Sequence, residues 1–159
     1  MLPFSLLIIC APALSAEFLR IELSFQGKEC ASCGNFIKER LGRNTGVQSV
    51  EMDAKKSSVI VKLKPANAVR PSHIRDLVQQ SGFEPNQATV TAIGIVRVDR
   101  GYTHLELSDG KPPIRLRDSD LHVRSFGNKK VEIEGVVEII ATDSGPLEII
   151  LVTKGKLAP

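Results

Sequence analysis

Two cysteines three positions apart, Cys30 and Cys33, carry the clearest chemistry in this 159-residue sequence. Thiols at this spacing can bind one soft metal ion together, or they can oxidise to one small disulfide ring. Two thiolates alone suit an ion with linear coordination, such as copper(I) or mercury(II), whereas zinc needs four ligands and therefore further donors. The spacing predicts a soft-metal site and leaves a redox-active pair open as the alternative.

The cysteine pair lies between a predicted strand and a predicted helix. Residues 18–25 alternate between apolar and polar side chains, which is the pattern of a half-buried strand. From Gly34 to Asn44, apolar residues that include Phe36 recur at helical spacing. Cys33 is therefore expected near the start of a helix, where the helix dipole favours a thiolate.

Four further elements are predicted in the first half of the chain. They are strands at 47–53 and 57–63, a helix that begins at Pro71 and stops at Gly82, and a strand at 88–93. The resulting order is strand, helix, strand, strand, helix, strand. This order predicts an α+β fold of the ferredoxin-like βαββαβ type, in which two helices cover one face of an antiparallel sheet.

Three segments of this half resemble the heavy-metal-associated domain family, which includes copper chaperones and periplasmic mercury-binding proteins. The segments are Gly27-Lys28-Glu29-Cys30-Ala31-Ser32-Cys33, Gly46-Val47-Gln48-Ser49-Val50, and Ile74-Arg75-Asp76-Leu77-Val78 with Ser81-Gly82-Phe83 after it. The resemblance covers residues 18–93. It implies a metal ion that is held by Cys30 and Cys33, with Phe83 packed nearby.

Two residues before the first cysteine depart from the family's pattern. Lys28 and Glu29 stand where the family usually carries Met and Thr, and that Met normally packs the loop against the core. Lys28 brings a positive charge that favours nearby thiolates. Glu29 offers an oxygen ligand that suits zinc and not copper(I). Both residues also fit an ordinary solvated loop, and a domain that keeps only a structural role is a further alternative.

The second half of the sequence predicts short strands and turns without a helix. Strands are expected at 95–98, 102–107, 114–117, 121–126, 131–141 and 147–153. This pattern suggests a small Greek-key barrel, and the segment 127–137 is weakly similar to a strand of exported OB-like domains. Gly135 in the middle of a strand predicts a bulge or a barrel corner. We interpret this half as a protein-docking or spacer module whose partner is unknown.

The N-terminal residues 1–16, MLPFSLLIICAPALSA, form an uncharged apolar run that ends in small residues. This pattern is typical of a secretory signal peptide, and the run is too short to span a bilayer as a helix. We therefore expect a periplasmic or secreted protein that is cut after Ala13, Ser15 or Ala16. An apolar first strand of the fold is the alternative interpretation.

Composition argues against several other functions. The net charge of +3, the absence of Trp and the single Tyr give little basis for nucleic-acid binding. No second apolar run is long enough to cross a membrane after removal of the signal. No Ser-His-Asp spacing, paired-carboxylate signature or glycine-rich phosphate loop indicates an enzyme.

The sequence therefore predicts an exported protein in three parts. These are a signal peptide at 1–16, a heavy-metal-associated domain at 17–93 and a small OB-like β-barrel at 94–159. The predicted function is to hold copper(I), or a similar ion such as mercury(II) or zinc, and to exchange it with a metal-donor or metal-acceptor protein. A thiol–disulfide redox protein and a non-catalytic adaptor with a degenerate metal site are the alternatives.

Overall fold

A computed structural model describes residues 16–27, 33–117 and 122–159. Within these ranges the chain forms eight strands, two α-helices and one turn of 3-10 helix. In chain order the elements are β1 (Glu17–Gln26), α1 (Cys33–Gly42), β2 (Val47–Asp53), β3 (Ser58–Leu63), α2 (Pro71–Gln80), β4 (Glu84–Asp99), β5 (Tyr102–Glu106), β6 (Ile114–Arg117), the 3-10 helix (Val123–Phe126), β7 (Lys130–Thr142) and β8 (Gly145–Leu157).

The first half forms a four-stranded antiparallel sheet with the strand order β2-β3-β1-β4. The alternating pattern of β1 buries Ile21 and Leu23, which join Ile37 of α1 and Ile74 of α2 in the core. An antiparallel sheet in this order, with one helix after β1 and one after β3, is the arrangement of a split βαβ sandwich. The predicted α+β class is therefore confirmed.

Strand β4 is 16 residues long and belongs to both halves of the chain. It pairs with β1 through 84–93, with β7 through 88–95 and with β5 through 95–99. The predicted division into two strands around Gly94 is wrong, because the strand continues through this residue. A Cβ at Gly94 would lie 2.7 Å from Leu105 Cγ, so the glycine lets β5 approach instead of ending the strand. The predicted domain boundary at 93/94 falls inside β4, and the division into two domains stays a prediction.

Strands of the second half close a ring of backbone pairings. The ring runs β4-β5-β6-β8-β7 and returns to β4, with β6 and β8 parallel and the other pairs antiparallel. The register of β7 against β8 shifts between Glu134 and Gly135, which confirms the predicted irregularity at this glycine. A Cβ there would lie 2.5 Å from Ile150 Cγ2 and 2.5 Å from the Leu151 carbonyl oxygen. An OB-like barrel stays a prediction.

The strand predicted at 121–126 is wrong, because residues 123–126 form a turn of 3-10 helix. Both the backbone N–H and the hydroxyl of Ser125 donate to the carbonyl oxygen of His122, at 3.1 and 2.6 Å. The His122 ring packs edge-on against Phe126, with ring centroids 4.9 Å apart. These local hydrogen bonds take the place of the inter-strand hydrogen bonds that this segment would make in a sheet. Leu121 lies outside the described residues.

A buried ion cluster joins the two halves. Arg70, just before α2, donates to Asp109 at 2.5 and 3.1 Å and to Glu148 at 3.1 Å. Glu148 also accepts a hydrogen bond from the backbone N–H of Ser72 at the start of α2, at 2.8 Å. Burial by itself raises the pKa of Asp109, but the hydrogen bond and the charge of Arg70 outweigh it, so that this pKa lies below its usual value.

The core is continuous across this junction. One cluster of buried side chains includes Phe18 and Leu41 of the first half and Leu105 and Ile133 of the second. In the described ranges, neither α-helix has the length and apolar character needed to cross a bilayer.

Candidate metal site

Of the five residues predicted for the metal site, two lie in the described part of the chain. Cys33 is the first residue of α1, and Phe83 lies between α2 and β4. Lys28, Glu29 and Cys30 lie outside the described residues. The structure thus places Gly27 at the end of β1 and Cys33 at the start of α1, on either side of residues 28–32, and the roles of all five residues stay predictions.

Phe83 occupies the space beside Gly27, the last described residue before the Cys-x-x-Cys segment. A Cβ added to Gly27 would lie 2.5 Å from Phe83 Cδ1 and 3.0 Å from Cε1. The Phe83 ring also packs edge-on against Phe25 of β1, with ring centroids 5.1 Å apart and an interplanar angle of 71°. Edge-to-face aromatic pairs contribute stabilisation in addition to that from the apolar surface that they bury. The aromatic pair therefore fixes the end of β1 to the α2–β4 connection, next to the cysteine segment.

The end of α2 determines where Phe83 lies. The backbone N–H of Ser81 donates to the Val78 carbonyl at 3.1 Å, and that of Gly82 donates to Gln79 at 3.0 Å. Gly82 then takes a left-handed backbone conformation with φ of +88°, which stops the helix. The sequence prediction of a helix stop at Gly82 agrees with this geometry. The chain reverses there, so that Phe83 comes directly before β4.

Helix α1 begins at Cys33 and packs on the sheet through Ile37 and Leu41, each 1% exposed. Phe36 was predicted in the same apolar stripe, and this prediction is wrong because the side chain is 52% exposed. Residues three and four apart share a helix face, whereas the adjacent Phe36 is rotated towards solvent. The first turn of α1 contacts Met52 of β2, whose terminal methyl lies 3.7 Å from the Cβ position of Gly34.

The position of Cys33 has a chemical consequence. The first residue of a helix lies near the positive end of the helix dipole, and α1 has no acidic residue in its first turn to offset that field. The expectation that Cys33 is a thiolate, the form that binds metal, stays a prediction. Among the residues that the structure describes, no group of three or more His, Cys, Asp and Glu side chains is arranged to hold a metal ion.

The ferredoxin-like sheet, with a Cys-x-x-Cys sequence that runs into its first helix, is the arrangement that the resemblance to heavy-metal-associated domains implies. The model of the heavy-metal-associated domain matches residues 23–84 of this chain. The copper chaperone CopZ of Enterococcus hirae is 32% identical over 66 residues, which are 42% of this chain and 94% of the chaperone. The chain belongs to the heavy-metal-associated domain family.

Solved structures match the same half of the chain. The yeast copper transporter domain Ccc2a, determined in apo and Cu(I)-loaded states, is 22% identical with a TM-score of 0.40, covering 43% of this chain and 92% of that domain. The N-terminal domain of a potential copper-translocating P-type ATPase from Bacillus subtilis, in its Cu(I)-loaded state, is 25% identical with a TM-score of 0.39. That match covers 43% of this chain and 85% of the ATPase domain.

The contacts of three residues around the candidate site were not predicted from the sequence. Phe25 and Gly27 meet Phe83 because β1 and β4 are antiparallel, with Phe25 opposite Pro85, two residues after Phe83. That pairing depends on a strand register that spans about sixty residues of chain, which the local pattern does not contain. The contact of Met52 with α1 likewise depends on how the helix lies across β2.

Proposed function

We propose that this protein binds copper(I) through the thiolates of Cys30 and Cys33 and passes the ion to a partner protein. The observation that carries the proposal is the 32% identity to a copper chaperone over 94% of that chaperone's length. The matched family segment, 23–84, contains both cysteines. Two soft sulfur ligands suit copper(I), and mercury(II) has the same preference, whereas zinc requires further donors such as Glu29.

Transfer in this proposal is a ligand exchange. A thiolate of the partner protein attacks the bound ion, one cysteine of this chain leaves, and the second cysteine leaves when the partner's next ligand binds. Each step needs an accessible ion and a deprotonated thiol. The helix position of Cys33 and the Phe25–Phe83 pair at the end of β1 support this proposal.

The test is a titration of the reduced protein with copper(I) in competition with a chelator of known affinity. We expect one equivalent to bind tightly and Cys33→Ser to lose this binding, because one thiolate remains. Ser108→Ala in the second half is the matched control and should bind as the wild type does. Equal binding by wild type and Cys33→Ser would contradict the proposal. Parallel titrations with mercury(II) and zinc(II) give the selectivity.

The rival redox function differs in a measurable quantity. A thiol–disulfide catalyst should show a reduction potential in the range of known oxidoreductases and should turn over a disulfide substrate. We expect no such turnover. The sheet supports this expectation, because the strand before the cysteine segment pairs antiparallel with both of its neighbours, β3 and β4, and forms no parallel βαβ unit with β2.

We propose further that the protein is exported and that the second half is an OB-like docking or spacer module. The apolar run 1–16 supports export. The closed ring of five strands with one parallel pair supports an OB-like Greek-key arrangement. Cell fractionation with intact-mass analysis tests export. We expect a product outside the cytoplasm that lacks about 13 to 16 N-terminal residues. A full-length product in the cytoplasm would contradict it.

A further inference from the structure

Helix α1 has a gap in its buried face at the end that carries Cys33. The residues that face the sheet follow helical spacing as Gly34, Ile37 and Leu41. Ile37 and Leu41 are each 1% exposed and anchor the middle and the end of the helix. Gly34 has no side chain, so this position contributes no apolar group of its own to the core.

Met52 of β2 packs against this position. Its terminal methyl lies 3.7 Å from the Cβ position of Gly34, which is an ordinary van der Waals distance, and no other atom of the described residues outside the local chain comes within 4 Å of that position. Met52 is half-buried and packs against the core cluster. It lies opposite Val59 of β3, which is fully buried, so that the side chain is on the helix-covered face of the sheet. A long, unbranched thioether suits an irregular space of this kind.

We propose that Met52 is a positioning residue for the metal site. It supports the first turn of α1 across the gap at Gly34, and through this turn it fixes the backbone of Cys33. This inference rests on the proposed copper-binding function. Met52 acts by packing, so that its volume matters and its sulfur does not. Residues that orient a metal ligand from outside the coordination sphere typically change metal affinity by 10- to 100-fold when they are lost.

Three substitutions separate this role from general stability. In Met52→Ala the gap at Gly34 opens, and we expect copper(I) affinity to fall by about tenfold. Met52→Leu restores most of the volume and should bind within about twofold of the wild type. Val50→Ala removes a 6%-exposed side chain two positions earlier on the same strand face and is the matched control. It should lower stability while copper(I) affinity stays unchanged.

Each other result overturns the proposal. Unchanged affinity in Met52→Ala would show that the first turn needs no support. Equal losses in Met52→Ala and Val50→Ala would show that affinity follows overall stability. A Met52→Leu variant as weak as Met52→Ala would show that the thioether itself binds copper.

Hydrogen exchange in the metal-free protein keeps the inference testable if copper(I) does not bind at all. Met52→Ala should lose amide protection in the first turn of α1, at 34–37, while protection at the end of the helix is retained. Val50→Ala should not show this selective loss. If the wild type binds no copper(I) and Met52→Ala still loses amide protection at 34–37, the proposed function is rejected, but the packing role of Met52 in the first turn is supported. Unchanged protection at 34–37 would reject that role whatever the protein binds.

Discussion

The two halves of this molecule share β4 and use it differently. In the first half β4 is the outer strand of an open sheet, and two helices connect the strands. In the second half β4 is one member of a closed ring, and the longest connections are turns and one 3-10 helix among the described residues. In the sequence, Cys30 falls between β1 and α1, and Cys33 is the first residue of α1. The predicted metal ligands therefore lie where a strand is followed by an α-helix, and the described part of the ring contains no α-helix.

The polar side chains of the two halves differ in a similar way. On the outer face of the ring, charges of β7 and β8 face each other in pairs such as Glu132–Lys156 and Glu134–Lys154, each at 3.1 Å. Exposed cross-strand pairs of this kind stabilise a sheet only slightly. The buried cluster of Arg70 is different, because it connects the halves out of contact with solvent. The junction, rather than either surface, is where charge matters most for the fold.

Arg70→Ala should lower the free energy of unfolding more than any other substitution considered in this comparison. It leaves Asp109 and Glu148, with side chains 3% and 6% exposed, without their cation. We expect the free energy of unfolding to fall by about 3–5 kcal/mol. Urea unfolding followed by circular dichroism measures it, and both halves should lose structure in one transition because they share a core.

The control for Arg70 is an arginine in an exposed pair. Arg97 donates to Glu106 at 2.7 Å, and both side chains are about half exposed, at 47% and 50%. Arg97→Ala should cost about 0–1 kcal/mol. Two separate transitions in Arg70→Ala, or an effect no larger than that of Arg97→Ala, would show that the halves are energetically independent.

Gly135→Ala should show the next largest effect, because its Cβ would lie 2.5 Å from a backbone oxygen of the neighbouring strand. Overpacking of this kind costs about 1–3 kcal/mol. Gly42→Ala at the end of α1 meets no atom within 4 Å and should be neutral or stabilising by about 0.4–1 kcal/mol. Thermal unfolding of both variants checks whether the ring is the more tightly packed half. A ring that tolerates Gly135→Ala as well as α1 tolerates Gly42→Ala would contradict this.

Phe83→Leu and Phe126→Leu compare matched aromatic contacts in the two halves. Each ring makes an edge-on contact, Phe83 with Phe25 and Phe126 with His122. Loss of such a contact costs about 0.5–1.5 kcal/mol, so that both variants should lose similar stability. Weaker copper(I) binding is expected for Phe83→Leu and not for Phe126→Leu, because of these two rings only that of Phe83 packs against Gly27. Equal copper(I) affinities in the two variants would show that Phe83 has no role at the metal site.

Acid should produce the smallest of these effects. The pKa of Asp109 is lowered in the folded protein, so its carboxylate stabilises the fold above the unfolded-state pKa of about 3.9. This contribution is lost as the pH falls through the folded-state pKa. Melting temperatures between about pH 6 and pH 2 should therefore fall more steeply for the wild type than for Asp109→Asn.

Glu51 of the first half is the control for the acid experiment. The hydrogen bond and charge of Lys62 also lower the pKa of Glu51, but the side chain of Glu51 is 55% exposed. Solvent and salt screen an exposed pair, so that Glu51→Gln should follow the wild-type profile. Identical profiles for all three proteins would show that the junction does not contribute to acid sensitivity.

Local patterns predicted most elements of the first half correctly. The alternation in β1 and the stop at Gly82 both appear in the structure where the pattern placed them. Errors arose where a neighbour in space decided the outcome. The strand through Gly94 continues because β5 and β7 pair with it, and Phe36 is exposed because Ile37 and Leu41 already occupy the buried face. Hydrogen bonds around His122 replaced a predicted strand with a 3-10 turn.

The sequence by itself determined the α+β class, the order of elements in the first half and the cysteine pair at a strand–helix junction, because periodicity and spacing are local properties of the chain. Tertiary structure alone decided that the halves share one strand and one core, and that Arg70 meets two carboxylates from the second half. It also decided that Phe83 packs against Gly27 at the end of β1 and that Met52 packs against Gly34 in α1. These contacts join residues far apart in sequence, and they depend on strand register and helix packing, which no local pattern specifies.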